Sequence, residues 1–248
     1  QDKLMDITDV MTTPLSEQLV NCDEDATIKS KMWSDLDDFY SGYRGENRYY
    51  AIPFGGGIYS INYDIDLFNE KSLFIGKGTA APNITWVNES GERSVGPDGI
   101  EGTYDDGLPV TYDDFKMLLN KMKASYVTPF IWSSTEGYVT NFLYSLAASY
   151  EGKENFDILK RMSGEYTFEG DTQPTIITED NAYLLQNMTG KKKALQFAYD
   201  IVRGGYYHLQ SGAASMDFKT AQDTFLMSVE LSKYGSDKRI AFLIVGAH

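Results

Sequence analysis

The sequence has little cysteine, little positive charge and no long apolar run. Its single cysteine, Cys22, excludes an intramolecular disulfide and a cysteine-based zinc site. Lysine and arginine number 22 against 36 aspartates and glutamates, which gives a net charge of −14. Clustered positive charge for binding nucleic acid is therefore lacking, and we expect no such partner. No stretch approaches the roughly 20 apolar residues of a membrane-spanning helix.

Motifs of the common catalytic classes are also missing. The chain has two histidines, His208 and His248, and no Gly-x-Ser-x-Gly nucleophile motif, phosphate loop or dinucleotide fingerprint. Adjacent acids such as Asp113 and Asp114 do not lie on opposite sides of a bond, as the two carboxylates of a glycosidase must. We therefore expect a binding protein without a chemical step, with a secreted glycoside-active enzyme as the alternative.

The stretch Tyr49–Glu70 is rich in aromatic, β-branched and glycine residues. It predicts strands at Tyr49–Ile52 and Ile58–Tyr63, joined by the sequence Pro-Phe-Gly-Gly-Gly. Three consecutive glycines allow backbone angles that side chains forbid. The pair could form a tight hairpin or a crossing between two lobes, and the residues alone leave both open.

Elsewhere the apolar periodicity is mostly helical. An apolar face recurs over residues 28–40, including Trp33 and Phe39, and Thr111 with Asp114 predicts a capping box. Further helices are predicted from Tyr138 to about residue 152 and at Asn155–Met162, Thr178–Asn187, Lys191–Arg203 and Ala214–Ser228. Additional strands are predicted at Thr85–Asn88, Tyr126–Trp132 and Arg239–Val245. Many helices with few strands predict a helix-rich α/β domain around a small mixed sheet.

Five phrases occur in an order that is similar to one known family. The five segments are Leu4–Thr8, Asn62–Phe68 (which follows the glycines), Thr111–Phe115, Glu136–Tyr138 and Ile240–Gly246. In this order they resemble the extracellular solute-binding proteins of carbohydrate ABC importers, the family that contains maltose-binding protein.

The resemblance implies a periplasmic-binding-protein-like (type II) α/β fold, here incomplete. Residues 1–54 would be the end of the N-terminal lobe and the first hinge strand, and residues 55–248 an incomplete C-terminal lobe, so we expect an internal fragment. The whole protein would capture a mono- or oligosaccharide between its lobes by hinge closure and deliver it to a membrane permease. The resemblance further implies a monomer outside the cell, anchored as a lipoprotein in its full-length form.

The candidate sugar site is the strand-to-helix turn Ile131–Asn141, since ligands of open α/β sheets collect beyond the carboxyl ends of strands. Aromatic rings there could stack on a sugar, and Glu136 could bond its hydroxyls, although Gly137 stands where the family has proline. Trp132 could instead be core, and Glu136 could merely cap a helix. Two aromatic residues of the hinge and the last residue of the chain are further candidates. The expected ligand contacts are therefore Phe54, Tyr59, Trp132, Glu136, Tyr138, Asn141 and His248.

An acidic, glycine-punctuated segment, Gly96–Gly107, is a second candidate site. Its carboxylates could converge on calcium, although the spacing is not that of an EF-hand and ordinary turns have similar sequences. Apart from this possible Ca²⁺ we expect no cofactor, and a calcium-stabilised surface interaction module is a further alternative. Lys191–Lys193, a cluster of positive charge, is expected to be a solvated face. The expected calcium ligands are Asp98, Glu101, Asp105 and Asp106.

Overall fold

The structure, a computed structural model, describes residues 4–42, 47–53, 58–235 and 239–247. The chain divides into two compact units, one formed by Gln1–Gly57 with His248 and the other by Ile58–Ala247. The boundary predicted between residues 54 and 55 lies among residues outside the described ranges, and it stays a prediction.

The first unit contains short helices joined by loops. They are α1 (Thr8–Thr12), α2 (Leu15–Gln18), α3 (Ser34–Ser41) and a one-turn 3-10 helix at Lys29–Lys31. Tyr49 is buried in this unit, and its hydroxyl donates a hydrogen bond to the Asp37 carboxylate. Ile7 donates its N–H to the carbonyl oxygen of Tyr49 at 2.9 Å. Individual hydrogen bonds, rather than a strand ladder, therefore hold Tyr49.

Two predictions for this unit are wrong. The helix expected over residues 28–40 is interrupted at Met32 and Trp33, whose ψ angles of 147° and 145° are extended. Trp33 and Phe39 are 77% and 71% exposed, so the expected apolar face is not buried within the described residues. Residues 47–53 do not form the predicted hinge strand. Periodicity and β propensity predict an element only where a packed surface or a neighbouring strand completes it.

The second unit alternates helices and strands. Its strands are β1 (Ile58–Tyr63), β2 (Phe74–Ile75), β3 (Trp86–Val87), β4 (Thr128–Trp132), β5 (Gly164–Tyr166), β6 (Thr175–Ile177) and β7 (Ile240–Ala247). Its helices are α4 (Ile65–Glu70), α5 (Tyr112–Ala124), α6 (Tyr138–Arg161), α7 (Thr189–Gly204) and α8 (Phe218–Ser232), with 3-10 turns at Ala182–Asn187 and Leu209–Gly212.

A three-stranded mixed sheet lies at the centre of this unit. β7 is the middle strand, antiparallel to β1 and parallel to β4. Phe242 and Ile244 of β7 belong to a core shared with α5, α6 and α7, whereas Leu243 and Val245 pack with α8. The strand is therefore buried on both faces, which explains its unbroken apolar sequence. The expected helix-rich α/β architecture around a small mixed sheet is confirmed.

Most predicted helices of this unit form. The capping box at the start of α5 is present, with the Thr111 hydroxyl accepting from the Asp114 N–H and the Asp114 carboxylate accepting from the Thr111 N–H. A non-helical Gly152 (φ 74°, ψ 168°) divides α6 into the two helices expected from the sequence. The helix predicted over Thr178–Asn187 is wrong in its first part, because Asn181 closes a turn by accepting the Thr178 N–H. Only the 3-10 turn Ala182–Asn187 forms there.

The Asp64-to-Phe68 phrase has a clear structural role. Asp64 caps α4 by accepting the Leu67 N–H at 3.0 Å, and the same carboxylate receives the Nε and Nη2 groups of Arg239. Both side chains are buried, and the Arg239 Nη1 also lies 3.3 Å from Glu70. This ion pair fixes the beginning of β7 against the end of β1, where the Asp64 N–H donates to the Ala241 carbonyl.

Candidate functional site

Two sequence-predicted site segments, the strand that carries Tyr59 and the turn after β4, meet at one end of the central sheet. The carboxyl ends of the parallel strands β4 and β7 lie together, and the antiparallel β1 begins there. In the register of the sheet, Tyr59 is opposite Gly246, and Trp132 is opposite Ile244. Residues far apart in the chain are thus placed side by side, as expected for ligand sites of α/β sheets.

Two tyrosine rings form the centre of this sheet end. The ring centroids of Tyr59 and Tyr138 are 6.0 Å apart, and Phe218 lies edge-on to Tyr138 at 5.4 Å. Tyr59 is 49% exposed, whereas Tyr138 is 6% exposed. Tyr59 therefore offers an aromatic surface to a ligand, and Tyr138 packs behind it.

The rings need a glycine beneath them. A Cβ atom on Gly246 would lie 2.6 Å from Cε1 of Tyr138 and 3.2 Å from Cε1 of Tyr59. The first distance is well inside van der Waals contact, so any side chain at this position would displace the rings. The glycine of the Ile240–Gly246 phrase thus has a packing role that its sequence did not reveal.

Trp132 has a partner that sequence reasoning missed. Its ring stacks on Tyr207 with a centroid distance of 5.2 Å and an interplanar angle of 27°. Tyr207 reaches this position because its segment runs beside β4, where the His208 N–H donates to the Phe130 carbonyl at 2.7 Å. Trp132 is 9% exposed and belongs to the core, which was the alternative to a ligand contact in the sequence analysis. No periodicity in the sequence signals this pairing, since Tyr207 follows α7 and pairs with β4 through a single bridge.

Glu136 lies in a turn that is tied to α8. The Ser133 hydroxyl accepts from the Thr135 and Glu136 N–H groups at 3.2 and 3.3 Å. Glu136 is exposed, and its Oε1 accepts the Phe218 N–H at 3.2 Å, in the first turn of α8. Asp217 caps the same helix, and the Thr220 hydroxyl and N–H lower the pKa of the Asp217 carboxyl. Glu136 therefore caps α8, while its second oxygen extends the polar edge of the site.

The remaining predicted contacts divide into two groups. Asn141 is half-buried in the first turn of α6, where its N–H donates to the Gly137 carbonyl at 3.1 Å. Gly137 has φ 72°, an angle that proline cannot adopt, so the turn differs in backbone from a Glu-Pro-Tyr turn. Phe54 and His248 lie outside the described residues.

A small apolar pocket lies behind Trp132 but does not suit a sugar. Its volume is about 60 Å³, and its walls include Phe130, Trp132, Phe142 and Phe197. A space of this size holds about two waters, and it offers no polar group to a hydroxyl. It is a packing void beside the core.

In the acidic segment, most of the carboxylates accept hydrogen bonds from N–H groups of the same loop. Asp105 Oδ2 accepts the Asp98 N–H at 2.9 Å, Asp106 Oδ2 accepts the Gly102 N–H at 2.8 Å, and Glu101 pairs with Lys77 at 2.9 Å. Hydrogen bonds from the Thr103 hydroxyl and the Asp98 N–H lower the pKa of Asp105. Within the described ranges, no cluster of three or more His, Cys, Asp or Glu side chains is arranged to hold a metal ion. The calcium site at Asp98, Glu101, Asp105 and Asp106 stays a prediction.

Among the helices of the described residues, none is both long and apolar enough to cross a membrane.

No protein-family model matches the chain, and no curated protein matches it significantly.

Proposed function

We propose that this chain carries the ligand-facing part of a carbohydrate receptor of an ABC importer. In this proposal the second unit is a lobe of a type II periplasmic-binding-protein fold, and sugar binds where the lobe faces another one. The whole protein would act outside the cell as a lipoprotein and present its ligand to a membrane permease. It would work by binding and hinge closure, without a chemical step.

The observation that carries the proposal is the exposed Tyr59 ring at the end of the sheet. Tyr138 packs against this ring, and Phe218 packs against Tyr138, so the Tyr59 ring is supported on one side. An aromatic ring supported in this way loses less conformational freedom when an apolar sugar face stacks on it.

A polar group beside the rings would orient the sugar. Glu136 is joined to the same cluster through the Phe218 N–H, which occupies one carboxylate oxygen. The second oxygen can accept a hydrogen bond from a sugar hydroxyl, and a bond to a charged group is stronger than a neutral one.

The experiment is a sugar titration followed by NMR. Glucose, mannose, galactose, maltose and cellobiose are added to the labelled chain at up to about 50 mM, because one face of a two-lobe site should give Kd values in the millimolar range, about −4 kcal/mol. Tyr59→Ala should weaken binding of the best sugar at least about fivefold, whereas Tyr59→Phe should keep it, since stacking needs the ring. Tyr234→Ala is the matched control, because Tyr234 is highly exposed on another part of the chain.

Two results would contradict the proposal. One is the absence of resonance shifts for every sugar, and the other is a sugar whose affinity Tyr59→Ala leaves unchanged. Sub-millimolar affinity lost in Tyr59→Ala would keep the sugar site but contradict the need for two lobes. Cleavage of an added disaccharide would favour the glycoside-active alternative.

A further inference from the structure

A second pocket lies between the far end of α6 and the start of α7. Its volume is about 420 Å³, within the range of small-molecule sites. Its walls come from α6, from the 3-10 turn Ala182–Asn187 and from α7.

The break in α6 creates this pocket. Tyr144 precedes Gly152, and Phe156 follows it, yet both line the same space. Met162, in a left-handed conformation, ends the helix at the rim, and the 3-10 turn that contains Leu185 forms another wall. A continuous straight helix would place Tyr144 and Phe156 about 18 Å apart along its axis.

Two lysines give the pocket positive charge in an acidic protein. Lys191 is half-buried, and its ammonium group donates to the neutral Gln186 amide oxygen at 2.8 Å. No ion pair joins Lys191 to a carboxylate in the part of the chain that the structure describes. Burial lowers the pKa of Lys191, because partial removal from water disfavours its charged form. Of the cluster expected to be a solvated face, Lys192 and Lys193 are exposed and Lys191 is half-buried.

The second lysine stands at the same opening. Lys160 Nζ lies 5.3 Å from the centre of the Phe156 ring and 3.4 Å from Asp157 Oδ1. Its charge is therefore partly balanced, and Lys191 is the stronger candidate to hold an anion.

The other walls are mixed, because Gln186 and Tyr144 carry polar groups and Phe156 and Leu159 are apolar. Phe156 and Leu159 are half-buried and offer hydrocarbon surface, whereas Leu185 is fully buried. The pocket combines a half-buried cation with apolar side chains, which together match an amphipathic anion.

We propose that this pocket binds a monocarboxylate with an apolar chain, such as a fatty acid of medium length. Its carboxylate would pair with the Lys191 ammonium group, and its chain would lie against Phe156 and Leu159. The space accommodates a chain of about ten carbons. This inference uses none of the residues of the proposed sugar site and does not depend on that function.

The test is calorimetric titration with decanoate, with decanol and acetate as controls. Decanoate should bind with a Kd of about 0.1 mM or tighter, and decanol and acetate each at least about tenfold more weakly, since each lacks half of the required contacts. Lys191→Gln should weaken decanoate at least about tenfold. Lys193→Gln removes the same charge from the same helix at an exposed position and should leave the affinity unchanged.

A third variant tests the cavity independently of charge. Ala182→Phe places a ring in the pocket while keeping both lysines, and it should abolish decanoate binding. Circular dichroism shows whether each variant folds. The comparison of decanoate, decanol and acetate uses the unchanged chain, so it tests the proposal even if a variant does not fold. Equal affinity for decanoate and decanol, no saturable decanoate binding, or equal losses in Lys191→Gln and Lys193→Gln would overturn the proposal.

Discussion

At the scale of single residues, Gly246 determines how closely two tyrosine rings approach the sheet. We expect Gly246→Ala to lower the free energy of unfolding by about 1–3 kcal/mol, because the new methyl group would overlap the buried Tyr138 ring. The displaced rings should also weaken any sugar that stacks on Tyr59. Urea denaturation measures the first effect, and the NMR titration measures the second.

Gly212 provides the control for this substitution. A Cβ at Gly212 would meet no atom within 4 Å, and its φ is not in the left-handed range. Gly212→Ala should therefore leave stability unchanged or raise it slightly, since alanine restricts the unfolded chain. Equal losses in the two variants would show that the overlap at Gly246 is not what matters.

At the scale of secondary-structure elements, the start of α5 depends on one buried carboxylate. Burial of Asp114 favours a higher pKa, but hydrogen bonds from the Ala81 N–H and from the Thr111 hydroxyl and N–H outweigh burial and lower the pKa. We expect Asp114→Ala to cost about 2–4 kcal/mol at pH 7, because it removes the cap and leaves the Ala81 N–H without its partner. Asp113→Ala, an exposed change in the same turn, should cost under about 0.5 kcal/mol.

The same carboxylate gives a pH dependence. Because its pKa is lower in the folded chain than the ordinary value of 3.8, its contribution is complete above about pH 4 and is lost as the pH falls through the folded pKa. The difference in urea stability between the unchanged chain and Asp114→Asn should shrink when the pH falls from about 7 to about 3. A difference that stays constant would contradict this assignment.

Elements were predictable from sequence where local chemistry and packing agree. The capping box and the apolar strand Ile240–Val245 are examples, because each depends on residues that lie within a few positions of one another in the sequence. The helix expected over residues 28–40 failed, since its apolar face finds no buried surface among the described residues. For the site, the sequence predicted the turn after β4. It could not predict the Trp132–Tyr207 stack or the Gly246 contact, which depend on long-range register.

At the scale of the whole molecule, the net charge of −14 should make stability depend on salt. Folding brings like charges together, and added salt screens their repulsion over a Debye length that shrinks from about 30 Å at 0.01 M to about 8 Å at 0.15 M. We expect Tm at pH 7 to rise by a few degrees, roughly 1 kcal/mol, between these NaCl concentrations. Sucrose of equal osmolarity, which screens no charge, is the control against a general solute effect.

The same measurement separates general screening from a specific calcium site. In NaCl at about 0.15 M, where about 1 mM of a further salt changes the ionic strength little, CaCl₂ and MgCl₂ at about 1 mM should change Tm equally if the loop carboxylates hold no calcium. An additional rise with calcium that disappears in Asp98→Asn and Asp105→Asn would instead support the predicted calcium site. If NaCl leaves Tm unchanged or lowers it, the acidic surface does not destabilise the fold, and local ion pairs such as Lys77–Glu101 would balance its repulsion.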